Sequence, residues 1–301
     1  MEASHSQLQQ DTDSQDHVAS QLTAQDDSSA HSAASQQVED NNQDVNQDQY
    51  FDNDHVIMAY PCKAVYNTGD ELAKLTENEF SKYITQADID LINEKNSYFE
   101  NIAKDFTCDM GKEFTAVSQV FAYIKNKFNA FQQPGGVFVD IGSGTGKGIL
   151  AGCLMHEFDK CVGVELLENL HNISLQIKDV YENEFQSKYE SDQEAKNLFK
   201  YYKAPIYEAH REDLLQFDWW SDADFVLANS TCFEMSFMTL ISEKTSLMKK
   251  GSWMVTLTKK LPTSDPLITR DDEKRDWECL LSIKRNMSWG VATVHIHRKI
   301  K

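Results

Sequence analysis

The chain has 301 residues, enough for one large domain or two small ones, and its 41% hydrophobic content with five Trp supports a buried core. A net charge of −19 with only short basic runs, such as Lys249-Lys250 and Lys259-Lys260, excludes strong direct nucleic-acid binding as the main mode of action. Six scattered cysteines (Cys62, Cys108, Cys153, Cys161, Cys232, Cys279) with no Cys-x-x-Cys argue against a zinc site or disulfide framework and for a reducing, intracellular location.

Residues 1–55 contain no Lys or Arg and carry twelve acids, so this segment holds −12 of the net charge. Built from Gln, Asp, Ser, Asn and Ala, it cannot bury enough apolar surface to offset its conformational entropy, and a disordered acidic tail is expected. Such a tail would attract basic partners, or serve only for solubility. It shows no positive cluster and no apolar stretch, so no secretory signal is expected, and no run has the length to span a membrane.

Residues 56–131 read as a small helical lead-in. Thr85 can cap Gln86–Ile92, and Thr115 can open a helix Ala116–Phe128 with Val117, Val120, Phe121 and Ile124 on one face. The remainder, 132–301, alternates strands with helices. A strand at 137–141 is followed by a helix from Lys147 to about Glu157 and a strand at Cys161–Glu165. A polar helical segment occupies about 167–199, and its stretch Glu182–Lys200 reads as a solvated face or an extended insertion. Strands follow at Lys203–Ala209, Phe225–Ala228 and Ser252–Thr258, with a helix Glu234–Met248 before the last. Two β-prone runs, Trp277–Ile283 and Val291–Ile296, resemble a closing antiparallel pair. The expected fold is α/β, a seven-stranded, mostly parallel, Rossmann-like sheet with an antiparallel C-terminal strand pair.

The chemistry concentrates in Val139-Asp140-Ile141-Gly142-Ser143-Gly144-Thr145-Gly146, where an apolar strand ends in an acid and a glycine-rich turn enters a helix. A dinucleotide site needs Gly-x-Gly-x-x-Gly, because the pyrophosphate sits on the helix N-terminus. Here the last glycine of that pattern is replaced by Lys147. An acid before the glycines suits a cationic ligand better than a phosphate. S-adenosylmethionine (SAM) fits, with Asp140 toward its amino-acid end, the loop Gly142, Ser143, Gly144, Thr145, Gly146 and Lys147 beneath it, and Glu165 accepting from the ribose hydroxyls. Asp213, just beyond the third strand, is placed to accept from the adenine amine; the simpler reading is a surface acid opening a turn. Asn229 ends a buried strand and offers a carboxamide to cofactor and substrate, or caps the helix near Glu234.

Together with Gly163-Val164-Glu165 and Ala228-Asn229-Ser230-Thr231-Cys232-Phe233, these motifs resemble the class I methyltransferase domain of the disruptor-of-telomeric-silencing (Dot) family, over about residues 100–300. That family comprises histone lysine methyltransferases without a SET domain. Its fourth-strand motif Val-Asn-Asn-Phe-Ala-Phe aligns with Ala228–Phe233, keeping its first Asn as Asn229 and its last Phe as Phe233, and Lys249-Lys250-Gly251-Ser252 resembles its Lys-Glu-Gly-Gly turn. The second Asn is Ser230, the Gln after the glycine loop is Lys147, and the Tyr-Gly-Glu-Thr loop that closes over SAM corresponds to Gly111-Lys112-Glu113-Phe114-Thr115, with Glu113 and Thr115 as its cofactor contacts.

The resemblance implies a monomeric, SAM-dependent methyltransferase acting on protein lysine, with a histone or nucleosome as partner, a nuclear location and no membrane association. Methyl transfer is an in-line displacement, so the protein contributes alignment and desolvation. The attacking lysine, with an unperturbed pKa of about 10.4, is deprotonated more readily in an apolar channel walled by Phe233. Phe114 and Trp289 could join that wall, although core packing is their simpler role. His295-x-His297 places two imidazoles on one strand face without completing a metal site. A base or glutamine target, which goes with Asn/Asp-Pro-Pro-aromatic after the fourth strand, is disfavoured. The competing readings are a SAM-binding interaction module without turnover, a methyltransferase of a non-histone protein or small molecule, and a dinucleotide oxidoreductase.

Overall fold

The computed structural model describes residues 69–102 and 111–301; the expectations for the tail 1–55, the start of the lead-in, Cys62 and Cys108 fall outside them. In chain order the elements are α1 (Gly69–Ser81), α2 (Gln86–Ile102), α3 (Gly111–Phe128), β1 (Val137–Ile141), α4 (Lys147–Met155), β2 (Lys160–Val164) and α5 (Glu168–Val180). A wide π turn (Tyr181–Gln186) leads to α6 (Ser187–Ser191), α7 (Gln193–Phe199), β3 (Ile206–His210), β4 (Phe225–Ala228), α8 (Met235–Thr245), β5 (Trp253–Leu257), β6 (Trp277–Met287) and β7 (Gly290–Lys299).

The strands form one seven-stranded sheet in the order β3-β2-β1-β4-β5-β7-β6. The first five run parallel, and β7 enters antiparallel between β5 and β6. The antiparallel pair is longer than the sequence pattern indicates, because β6 and β7 extend to a tight turn at Ser288-Trp289. The sheet is thus the seven-stranded, mostly parallel one expected, with an antiparallel C-terminal pair. Strand 3 starts at Ile206 rather than Lys203 for a local reason. Pro205 has no N–H to give a ladder, and the N–H groups of Tyr202 and Lys203 donate instead to Glu157 Oε1 at 2.9 and 2.8 Å.

Alternate residues of the central strands feed two cores. Phe138, Cys161, Tyr207, Phe225, Leu227 and Val255 face α3, α4 and the insertion, while Val139, Ile141, Val162, Val164, Val226 and Met254 face Leu214, Trp219, Ile241 and Met248. Gly148 and Gly152, one helical turn apart on α4, let that helix lie against β1. A Cβ on Gly152 would sit 2.7 Å from the Phe138 ring. The lead-in helices share the first core, with Phe80, Ile92, Phe99 and Phe114 in the same cluster as Phe138. Thr85 caps α2 as expected, its Oγ1 accepting from Asp88 N at 3.1 Å while Asp88 Oδ2 accepts from Thr85 N at 2.8 Å.

The charged insertion is not merely a solvated face. Tyr181, Phe185 and Tyr189 recur every four residues and are buried, with Tyr181 stacked on Phe185 at 5.2 Å and Phe185 edge-on to Phe199 at 4.8 Å. Lys95 of α2 is buried against this group, 5.0 Å above the Phe199 ring, and caps α4 by donating to Leu154 O at 2.9 Å. Burial, with Lys125 nearby, lowers its pKa to about 7. Among the described residues no helix is long and apolar enough to cross a membrane, and no cluster of His, Cys, Asp and Glu could hold a metal ion.

His295 and His297 are structural. His295 Nδ1 lies 2.7 Å from Ser282 Oγ, and His297 bonds Met254 O through Nδ1 (3.1 Å) and accepts from Leu261 N at Nε2 (3.4 Å). Desolvation, with Lys260 near His295 and His295 near His297, lowers their pKa values to about 4 and about 3, and burial lowers that of His156 to about 4.

Two outcomes follow for stability. Phe185→Ala should destabilise the protein by about 3–5 kcal/mol in denaturant unfolding, whereas exposed Glu184→Ala should stay within about 0.5 kcal/mol. The buried imidazoles have depressed folded pKa values, so the unfolded chain takes up more protons on acidification. The melting temperature should fall as pH drops from about 6.5 toward about 3, and His297→Gln should flatten that decline.

Candidate functional site

The carboxyl ends of β1, β2, β3 and β4 open to one edge of the sheet, where the strand order turns between β1 and β4. The glycine loop is built there. Gly142 and Ser143 both donate their N–H to Val164 O, at 2.9 and 3.1 Å, which folds the loop back over the end of β2. Gly142, Gly144 and Gly146 take φ of 68°, 55° and 86°, a region that side chains with a Cβ rarely enter. At Gly146 space also demands glycine, because a Cβ would lie 2.2 Å from Tyr207 Oη and 2.4 Å from Ser174 Oγ. Tyr207 donates to Gly146 O at 3.2 Å and pairs with Ser174 at 2.9 Å, which fixes the end of the loop where α4 begins. The space above Gly144 is open, with no atom within 4 Å of the point a Cβ would occupy.

Glu165 is buried, and both its oxygens accept from backbone: Oε2 from Gly144 N and Oε1 from Leu167 N, each at 2.8 Å. A carboxylate has about four lone-pair sites, so it can still accept from a diol while holding the loop. Asp140 is also buried, but its Oδ2 lies against the first turn of α4, where a Cβ on Gly148 would come within 2.1 Å. It thus supports the loop from beneath. Burial, together with the Glu165 charge, pushes its carboxyl up to about 8. Ser143 is buried, and Thr145 and Lys147 are half-buried along the loop.

The β4 end meets this loop. Ala228 pairs with Ile141, and the half-buried Phe233 ring covers Gly142 so closely that a Cβ there would be 2.9 Å from Cζ. Phe237 stands edge-on to Phe233 at 5.1 Å. Asn229 is exposed and accepts from Thr231 Oγ1 at 2.9 Å; it does not cap α8, whose N-terminal residue Glu234 makes no side-chain cap. The structure therefore brings together Asp140, the glycine loop, Glu165, Asn229 and Phe233.

Other candidates lie elsewhere or are engaged. Asp213 is exposed, and its Oδ1 accepts from Leu215 N at 2.8 Å, the turn-opening role. Gly111–Thr115 forms the start of α3 rather than a loop, so Thr115 lies inside the helix it was expected to open. Glu113 Oε1 accepts from Ser288 N at 3.1 Å and from its hydroxyl, tying α3 to the β6–β7 turn. Phe114 is core, the simpler of its two roles, but Trp289 is not. It stands 45% exposed on the turn, beyond the end of β5, because β7 pairs Val294 with Leu257 and continues past it. Two further residues border the site without belonging to any motif. Leu166 and Leu167 directly follow Glu165 and are more than half exposed, an apolar shelf beside that buried acid. Their signal in the sequence is two large aliphatic residues where a loop should be polar.

The loop's positive-φ backbone, the open face at Gly144 and the acid at each strand end fit a SAM molecule. Among solved structures, the chain is similar to a protein assigned as a class I SAM-dependent methyltransferase from Listeria monocytogenes, with 16% identity, TM-score 0.43, and 76% of this chain and 80% of that one covered. It is similar also to magnesium protoporphyrin IX methyltransferase from Synechocystis with bound S-adenosylhomocysteine, at 13% identity, TM-score 0.38, and 62% and 83% covered. No curated protein matches the sequence. The model of the family "Histone methylation protein DOT1" matches residues 115–295, well over half of the chain and all of the strands that build this site. The chain belongs to the DOT1 family of histone methylation proteins and is a SAM-dependent methyltransferase.

Proposed function

We propose that the chain transfers a methyl group from SAM to a lysine side chain of a protein, with a histone as the acceptor. The observation that carries this reading is the Phe233 ring held over Gly142, at the junction of the glycine loop and β4. SAM supplies a methyl group on a sulfonium, ready for in-line displacement. The chain's residues bind and align it. Glu165 accepts from the ribose hydroxyls, Leu166 packs the adenine, and Asp140 places negative charge beneath a cationic ligand. Phe233 excludes water from the transfer line and offers a π face, worth roughly 0.5–2 kcal/mol toward a cation. An apolar wall also favours the neutral form of an approaching amine.

The acceptor's approach has a candidate rim. Trp289 and Val291 are exposed at the β6–β7 turn, and Met235 is exposed just after Phe233, all on elements that end at the carboxyl edge of the sheet. Aromatic and aliphatic side chains at such a rim suit a peptide segment. Intracellular action, in the nucleus for a histone acceptor, belongs to the same proposal, as does a monomeric enzyme. A second reading, SAM binding without turnover, draws support from Glu113, whose Oε1 is engaged by the backbone and hydroxyl of Ser288.

Incubation with radiolabelled SAM and, in parallel, nucleosomes, free core histones and cell lysate tests the proposal. Lysine-borne label on nucleosomes or histones is expected, with Phe233→Ala reducing turnover about 10–100-fold. Label on other proteins alone would remove the histone acceptor, and SAM binding without any label would leave the interaction module.

Asp140 supplies an independent check. Its folded pKa is raised to about 8, so its contribution to stability is present at low pH and lost as pH rises through that value. Asp140→Asn should therefore melt above the parent at pH 8, with the gain fading toward pH 4, while binding SAM more weakly. In the parent, SAM affinity should rise between pH 6 and 8.5 with proton release, measurable by calorimetry in buffers of different ionisation enthalpy.

A further inference from the structure

Thr258, the first residue after β5, has φ +71°, a left-handed conformation that is a genuine outlier for a β-branched residue. Such strain persists only where surrounding structure enforces it. The enforcement is visible. Thr258 N donates to Thr293 O at 2.7 Å, Ser230 Oγ donates to Leu257 O at 2.6 Å, and Lys259 Nζ donates to Thr231 O at 2.8 Å, stitching the turns after β4 and β5 together. The result of the strained turn is a contact between hydroxyls: Thr258 Oγ1 lies 2.9 Å from Thr231 Oγ1, which in turn donates to Asn229 Oδ1 at 2.9 Å. Since the single Thr231 proton goes to Asn229, Thr258 is the donor in the first contact. The chain of donation runs Thr258 to Thr231 to Asn229.

This arrangement fixes what Asn229 can offer. Its carboxamide oxygen is engaged, and its Nδ2 has no partner among the described residues. An amide donor on this exposed residue, in a turn whose Thr231 carbonyl already holds the Lys259 ammonium, matches an anionic oxygen. Asn229 follows Ala228, the partner of Ile141, so it adjoins the glycine loop on the side away from Glu165. With the ribose at the β2 end, the amino-acid end of SAM falls at the β1–β4 junction.

We propose that Thr258 and Thr231 are positioning residues that lock the Asn229 carboxamide as a donor to the carboxylate of SAM. The inference rests on the assignment of this edge as the SAM site, and it adds that the backbone strain at Thr258 is the means of orienting Asn229.

The test compares binding of S-adenosylhomocysteine, which carries the carboxylate, with methylthioadenosine, which lacks it, by calorimetry. Thr258→Gly accepts the left-handed backbone without penalty and deletes the hydroxyl, and Thr231→Val deletes its partner. Both should weaken S-adenosylhomocysteine about five- to tenfold, leave methylthioadenosine unchanged, and in the case of Thr258→Gly melt at or above the parent. Thr258→Ser, which restores the hydroxyl, should bind within about twofold of the parent. Equal loss for both ligands would mean a structural role and overturn the inference, as would parent-like binding by Thr258→Gly or failure of Thr258→Ser to rescue. Asn229→Ala separates the two levels. If it weakens S-adenosylhomocysteine selectively while the threonine variants do not, only the positioning inference falls. If the parent binds neither ligand, the cofactor site itself is wrong.

Discussion

The site depends on one backbone crossing. Two successive N–H groups, of Gly142 and Ser143, converge on Val164 O, and a third, of Gly144, reaches the Glu165 carboxylate. Those bonds pull the chain leaving β1 across the end of β2 before α4 can start. The turn is too tight for ordinary residues, which is why three positive φ values fall at alternate positions. Once the loop is held this way, Asp140 is roofed over, Tyr207 and Ser174 close on Gly146, and Gly142 becomes flat enough for Phe233 to lie on it. Glu165 thus anchors the loop with one carboxylate, since charge-assisted bonds from the Gly144 and Leu167 N–H groups hold its orientation at the end of β2.

The same crossing places two acids where solvent cannot reach them. Asp140 and Glu165 lie on neighbouring strands, and the charge of Glu165 raises the affinity of Asp140 for a proton. Without a cation nearby, this is an unfavourable arrangement near neutral pH, which the buried core must offset. A cationic ligand reverses the sign of that term. Stability lost by the free protein becomes binding selectivity, and phosphate-bearing nucleotides would meet repulsion at the position where SAM carries positive charge.

Much of the sheet is legible in the sequence because its signals are local. Apolar runs mark β1, β2, β4 and β5, β-prone runs mark the antiparallel C-terminal pair, and the acid–glycine spacing locates the loop. What is not legible depends on partners remote in sequence. Tyr181, Phe185 and Tyr189 are spaced for a helix face, but the charges between them mask the pattern, and their burial requires Lys95 and Tyr98 from a helix some ninety residues earlier. Core packing is the simpler expectation for Trp289 because large aromatics are usually buried, whereas the length of β6 and β7 carries it beyond the sheet. A loop at Gly111–Thr115 rests on motif alone, and the helical pattern beginning at Ala116 extends backward through it. The place of Asp140 in the site is readable from its motif, but that it sits beneath the loop follows from Gly148, a glycine with no motif of its own.

The departure at Ser230 has a physical account. Ser230 is fully buried, and its hydroxyl donates to Leu257 O at 2.6 Å, joining the turn after β4 to the end of β5. A buried hydroxyl with a partner this close leaves no room for the longer carboxamide that the Dot motif has in second place. The position therefore works inward, as a stitch, while its neighbours Asn229 and Phe233 work outward at the loop. Substitution at the stitch need not alter the exposed chemistry, because what reaches the ligand edge is determined by backbone register. That register is held from β5 and β7 through Leu257, Thr258 and Thr293. The antiparallel strand β7, which touches no part of the glycine loop's own ladder, is thus tied through β5 to the turn that follows β4.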